Sequence, residues 1–507
     1  MCPWLLPACR GPTMKSLVVA LCLPLSVAAQ GFGTQEVITS SASDARSVYA
    51  TDLDGDGDAD VLSGSHTDNK IAWYEYVGAG NGVNGGAFGP QQVITNSADR
   101  PSSVYATDLD GDGDADVLSA SVLDDEIAWY ENLGGGTFGA QQVITSSADG
   151  AWSVYAADLD GDGDEDVLSA SYNDDKIAWY ENLGGGSFGA QQVITTGALS
   201  ARSVYATDLD GDGDADVLSA SYYDCKIAWY ENLQDGFAAP QIISSNTDGA
   251  TSVYATDLDG DGDADVLSAS YYDDRIAWYE NLGGGAFGLQ QTITTSADGA
   301  QSVYAADLDG DGDADVLSAS LHDDKIAWYE NLGGGAFGSQ QVISSGADMA
   351  RSVYATDLDQ DGDADVLSAS RNDNRIAWYE NLHQYWRCQG GQASNGDVTL
   401  GLSHGQASAP YYLFHSMDAL NATSPGSSGF FGLHITIADV WTQVGLAMNG
   451  NPLFGGTLDA NGTFGMSLPG GAVAFLSGQT WYGMGVQVNP GPTGVYQATP
   501  VNSITFQ

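Results

Sequence analysis

Positive charge is scarce in this sequence. Fourteen Lys and Arg stand against 67 Asp and Glu in 507 residues, a formal net charge of −53. That balance argues against nucleic acid or an anionic membrane surface as a partner. Cysteine is scarce too: of five, Cys2, Cys9 and Cys22 sit in the N-terminal leader. Cys225 and Cys388 alone make no disulfide framework. No apolar run reaches the ~18 residues that a membrane-crossing helix needs. The six histidines, His66, His322, His383, His404, His415 and His434, show no metal-ligand spacing.

The leader has the form of an export signal, with residues 1–29 removed. A short basic start at Met14-Lys15 precedes an apolar stretch from Leu17 to Val27, and Val27-Ala28-Ala29 offers a small-residue cleavage site. Met14 is an alternative true start. The expected location is therefore secreted or at the cell surface.

What the chain does have is one acidic stretch, repeated. Asp52-Leu-Asp54-Gly-Asp56-Gly-Asp58-Ala-Asp60 returns at Asp108, Asp158, Asp208, Asp257, Asp307 and Asp357, in steps of 49 to 56 residues. A period near 50 marks a repeat array. Carboxylates at loop positions 1, 3, 5 and 9, with a turn-permitting glycine at position 6, suit a hard cation, Ca²⁺ in preference to Mg²⁺. The expected metal donors are Asp52, Asp54, Asp56 and Asp60; Asp108, Asp110, Asp112 and Asp116; Asp158, Asp160, Asp162 and Asp166; Asp208, Asp210, Asp212 and Asp216; Asp257, Asp259, Asp261 and Asp265; Asp307, Asp309, Asp311 and Asp315; and Asp357, Asp359, Asp361 and Asp365. Up to seven structural Ca²⁺ ions follow. An EF-hand is excluded because position 12 is Ser63 and its equivalents, where that loop needs Glu.

Each acidic loop is flanked by short β-prone runs. Strand A (Ser47 to Leu53) precedes it and strand B (Asp-Val-Leu-Ser-Ala-Ser) follows. Strand C is Lys-Ile-Ala-Trp-Tyr-Glu-Asn, and after a Gly-Gly-Gly turn strand D is Phe-Gly-x-Gln-Gln-Val-Ile-Thr. Four strands joined by short loops make one propeller blade. A lone strand D, Phe32 to Thr39, opens the mature chain, and the seventh repeat lacks one. Seven A-B-C sets match seven D strands only if the N-terminal strand completes the last blade, which removes an open edge. The predicted fold is all-β: a seven-bladed propeller over residues 30–383, closed by an N-terminal outer strand. A β-sandwich-like domain is expected over 384–507, where charge nearly vanishes and segments such as Trp481 to Val488 alternate.

The Asp-x-Asp-x-Asp-Gly-x-x-Asp loop, the Ile-Ala-Trp-Tyr-Glu-Asn strand and the following Gly-x-Phe-Gly resemble FG-GAP/VCBS repeat proteins and the calcium-loop propeller of integrin α-subunits, from Gly31 to Leu382. The resemblance implies a calcium-binding propeller used for adhesion or ligand binding. Gln360 departs from the pattern, replacing the position-4 glycine of the last loop.

Partner residues are sought where the repeats differ. The metal loops and glycine turns share one face. The opposite, variable face carries Trp152, Tyr172, Tyr222, Tyr223, Tyr271 and Tyr272 in blades 3 to 5, read as exposed aromatics able to stack on sugar rings. Blades 7 and 1 offer Arg351, Arg371, Arg375, Arg46 and His66, with Arg46 and Arg351 placed just before strand A. Such residues can equally be partial core, and Lys176 and its equivalents can simply pair with turn aspartates. Catalysis is not expected: Glu75 recurs in every blade, and near-identical blades leave few unique residues for an active site. The reading is a secreted binding or adhesion module for extracellular glycan or protein, monomeric, with a propeller enzyme acting on polysaccharide as the rival.

Overall fold

In Ser-Val-Tyr-Ala and Asp-Val-Leu-Ser-Ala-Ser, side chains alternate between two faces of an extended chain. Strand B is buried at all six positions, and its polar members are one Asp and small Ser side chains. A computed structural model describes residues 31–382, apart from 83–85 and 235, and beyond them the backbone of eight strands between Cys388 and Thr505. The leader lies outside the described residues, and of the domain expected over 384–507 only the backbone of those eight strands is described.

Strand β1 (Glu36–Thr39) comes first. Blade 1 follows as β2 (Ala45–Thr51), β3 (Asp60–Ser65), β4 (Lys70–Tyr74) and β5 (Gln92–Thr95). Strands β6 to β25 repeat this antiparallel unit through blades 2 to 6. Blade 7 has β26 (Ala350–Thr356), β27 (Asp365–Ser370) and β28 (Arg375–Tyr379), and its fourth strand is β1. Val37 pairs with Ala377, and Phe32 bridges Asn381 as Phe138 bridges Asn132 in blade 2. The N-terminal closure expected from the strand count is therefore present. Strand D is shorter than expected, four residues plus the isolated Phe bridge.

Seven apolar clusters fill the seven blade interfaces. The closing one joins Val48, Val61 and Tyr74 of blade 1 to Leu367, Ile376 and Trp378 of blade 7. The strand-C Trp is buried in every blade. At four interfaces the last glycine of the next blade's turn lies against this indole: Gly136 on Trp73, Gly186 on Trp129, Gly285 on Trp229 and Gly335 on Trp278. A Cβ on Gly136 would collide with Trp73, which explains the glycine better than turn geometry alone. Truncating one such Trp would cost ~3–5 kcal/mol.

Two rings line the axis. Tyr49, Tyr105, Tyr155, Tyr205, Tyr254, Tyr304 and Tyr354 form a closed circle of tilted pairs with centroids 4.7 to 5.0 Å apart. Two residues earlier, each strand-A Ser accepts a hydrogen bond from the Val N–H of the next blade. The series runs from Ser47 to Val104 at 3.1 Å round to Ser352 and Val48 at 3.4 Å.

Candidate metal centre and variable face

Each metal loop begins where strand A ends. Asp52 accepts the N–H groups of Gly55 (2.7 Å) and Gly57 (3.0 Å), which folds the loop back on itself. Asp60, fully buried, accepts Leu53 N–H at 3.1 Å and Tyr76 N–H at 2.9 Å, tying the end of strand A to the end of strand C. Ligand atoms of Asp52, Asp54 and Asp60 come within 4.8 Å of one another, and four further named loops, beginning at Asp108, Asp158, Asp208 and Asp257, repeat the grouping. Positions 1, 3 and 9 thus converge. Position 5 is exposed in the first loop, where Asp56 accepts the Asp58 N–H at 3.1 Å.

None of the converging aspartates is in an ion pair among the described residues. Burial raises the pKa values of the position-3 and position-9 aspartates despite the backbone hydrogen bonds. Asp60 is pushed up to about 8, Asp116 to about 7 and Asp365 to about 8. Asp54 is raised by burial and by Asp56. Crowded all-oxygen donors lacking positive charge are what a hard divalent cation requires. The acidic clusters can hold metal ions.

Gln360 adopts φ +60°, the conformation its glycine equivalents take, and all four expected donors of its loop keep their places in sequence. Sequence reasoning missed the Asn that ends strand C. Asn132 Nδ2 donates to Leu53 O of the preceding blade at 2.8 Å, and in this way six of the seven metal loops are clamped from next door. Its recurrence in six repeats was the available signal. Ser63 and its equivalents are buried and reach the strand-C Tyr, as in Ser169–Tyr180 at 3.2 Å, a structural role.

On the opposite face the aromatics meet. Trp152–Tyr172, Tyr172–Tyr223, Tyr222–Tyr272 and Tyr271–Tyr272 have centroids 5.6, 6.2, 5.4 and 5.0 Å apart. Tyr223 and Tyr272 are 64% and 59% exposed, whereas Tyr222 is 8% exposed and is not the free platform expected of it. The reason is Arg202, whose guanidinium lies 4.3 Å from the Trp152 ring and 4.2 Å from that of Tyr222. Lys70, Lys176, Lys226, Arg275, Lys325 and Arg375 pair with the turn aspartate two residues before them. The bland reading holds for those cations. His66 is buried, and burial and Arg46 push its pKa down to about 4. Arg46 and Arg351 lie inside strand A, not before it. Gly-x-Ser-x-Gly strings occur twice, at Gly185 to Gly189 and at Gly401 to Gly405; Ser187 sits in the glycine turn before a strand D, and Ser403 lies outside the described residues. A nucleophile elbow also needs a following helix, and the described residues include none.

A model of the FG-GAP-like repeat matches six spans, 52–119, 108–169, 158–219, 208–268, 257–318 and 315–368, which together take in more than half of the chain. The chain belongs to the FG-GAP-like repeat family. Two solved structures of BBS1N in complex with ARL6DN, one soaked with lead and one with mercury, resemble it at 11% identity and a TM-score of 0.49. Each match covers 69% of this chain and 96% of that chain. No curated protein matches it.

Proposed function

We propose that this chain is an exported, calcium-braced binding module whose variable face takes an extracellular glycan. The observation that supports the ligand class is the run of touching aromatic rings across blades 3 to 5, with Tyr223 and Tyr272 open to solvent. Aromatic faces of this kind stack on sugar rings, and contiguity distinguishes them from scattered surface apolar residues. In place of those tyrosines, blades 1 and 2 present Thr67 and Leu123, so the patch belongs to one sector of the ring.

Calcium serves the fold in this reading. Positions 1, 3 and 9 of each loop would hold it, with position 5 turning in as the fourth donor, and it would supply the positive charge that the buried carboxylates lack. The test is a glycan-array and matrix-protein screen of the full chain in millimolar Ca²⁺, repeated with Tyr223→Ala and Tyr272→Ala. Glycan binding lost in those variants with melting unchanged supports the reading. Binding to matrix protein alone would replace glycan with protein as the ligand.

A further inference from the structure

Strand A carries a β-bulge in every blade. Ala45 pairs with Ser65 and Ser47 with Gly64, which leaves Arg46 without a partner. The same skip falls at Ser102, Trp152, Arg202, Thr251, Gln301 and Arg351. A bulge re-aims its extra residue. Here it turns the bulged side chain toward the axis beside the Ser that follows. Both line one cavity of about 150 Å³. Arg46 and Asp52 stand at opposite ends of β2, about 20 Å apart at ~3.3 Å per residue, so this mouth lies on the face away from the metal loops.

Three of the seven bulged residues are arginines. Arg46 has one carboxylate, Asp44 at 3.3 Å, which it shares with Arg371 at 3.1 Å. Arg351 donates to Gln301 Oε1 at 2.7 Å and has no carboxylate, and Arg202 is held only by aromatic rings. The Nε of all three is buried and unpartnered. Burial and the neighbouring Arg46 and Arg371 push the Arg351 pKa down to about 10. In a chain of net charge −53, converging guanidiniums with so little counter-charge are an arrangement that costs stability unless an anion completes it. The serines add to it. Each Oγ accepts from a neighbouring Val N–H, which leaves its own proton to donate, as at Ser203 and Val253.

We propose that this axial pocket is an oxyanion site, taking a sulfate or carboxylate group. A volume of about 150 Å³ is below the ~300–1,000 Å³ of sites that enclose a whole small ligand, so it takes one acidic group and not a sugar chain. Arg presents planar forks that match such oxygens. Trp152 stacks on Arg202 and also belongs to the aromatic run, so the pocket adjoins the proposed sugar platform. The group would then be carried by an acidic saccharide. This last step rests on the glycan reading, whereas the oxyanion site itself does not.

The test is calorimetric titration of the full chain, in 1 mM Ca²⁺, with sodium sulfate and with sodium acetate, followed by paired sulfated and desulfated glycans. The expected result is saturable sulfate or acetate binding, weakened at least tenfold by Arg202→Met/Arg351→Met. Because removing stacked arginines can unsettle the fold, Gln301→Glu is the second variant. It places a carboxylate beside Arg351 and is expected to block the anion while keeping the melting temperature. Absence of sulfate and acetate binding, or binding unchanged in both variants, overturns the site. Neutral glycan binding without anion binding overturns the inference and leaves the glycan reading standing. Anion binding with no glycan bound does the reverse.

Discussion

The side-chain amide of Gln360 donates to the backbone carbonyl of Gly57 at 2.8 Å, across 303 residues of sequence. It joins the metal loop of blade 7 to that of blade 1, at the seam where the ring closes. Gln360 holds φ +60° to do so. For a residue with a Cβ that conformation costs ~1–2 kcal/mol, and a hydrogen bond returns ~0.5–1.5 kcal/mol.

Those two figures nearly cancel, so Gln360→Gly should change stability by less than ~1 kcal/mol. Gln360→Ala keeps the strained backbone and loses the bond, and is expected to be the worse of the two. Urea unfolding of both variants in Ca²⁺ gives the order. Equal or reversed stabilities would mean that the amide contact at the seam contributes nothing.

The position-9 and position-5 aspartates should separate structure from metal. Asp216 is buried and accepts Leu209 N–H at 3.0 Å and Asn232 N–H at 2.7 Å. In Asp216→Asn one of those N–H groups loses its acceptor, at ~1–3 kcal/mol. The loss should appear with or without EDTA. Asp212, exposed in the same loop, accepts the Asp214 N–H at 3.0 Å, and as the position-5 donor it would otherwise serve only a bound Ca²⁺. Asp212→Asn should therefore lower the melting temperature in Ca²⁺ and leave it unchanged in EDTA. Thermal melts of the two variants under both conditions test the pair.

Chelation should destabilise the whole ring. Extracellular calcium sites often have Kd values of ~10⁻⁴–10⁻³ M. At about ten times Kd each site adds ~1.4 kcal/mol, and seven together are large against a net stability of ~5–15 kcal/mol. A melting temperature that does not move between 10 mM Ca²⁺ and excess EDTA would rule out structural calcium.

Removing residues 31–40 should open the ring. Strand β1 is the only partner on the outer edge of β28, and Phe32 packs into the blade 6–blade 7 cluster. The truncated chain would expose that edge and is expected to self-associate and to melt earlier. Size-exclusion chromatography and thermal melting read both effects. A monomer of unchanged stability would show that the closure is dispensable.

The ring itself was legible because it is arithmetic: seven A-B-C sets, seven D strands, and one D strand at the wrong end. The metal loops were legible because their spacing is chemistry within nine consecutive residues. What was not legible depends on residues of different strands or blades meeting, as Arg202 meets Tyr222 and Asn132 meets Leu53. The skip at Arg46 is a backbone irregularity inside a β-prone run, and nothing in Ala-Arg-Ser marks it. Tyr222 looks like Tyr272 in sequence. It is buried because Arg202, from strand A of the same blade, lies over its ring. The Asn clamp was hidden for the same reason, since its acceptor belongs to the preceding blade.

That difference between two tyrosines gives the sharpest test of the binding face. Tyr272 is 59% exposed, with most of its ring free, so Tyr272→Ala should remove a stacking surface at little cost to the fold. Surface substitutions of this kind usually stay within ~0.5 kcal/mol. Tyr222 is 8% exposed and packs on Arg202 and Tyr271. Tyr222→Ala leaves a cavity and an unsupported guanidinium, and a buried aromatic deletion of this kind costs ~3–5 kcal/mol. The expected pattern is glycan binding lost with melting intact in Tyr272→Ala, and melting lowered in Tyr222→Ala whether or not binding survives. If Tyr272→Ala binds as well as the parent chain while Tyr223→Ala does too, the exposed rings are not a sugar platform. The ligand must then be sought at the axial arginines.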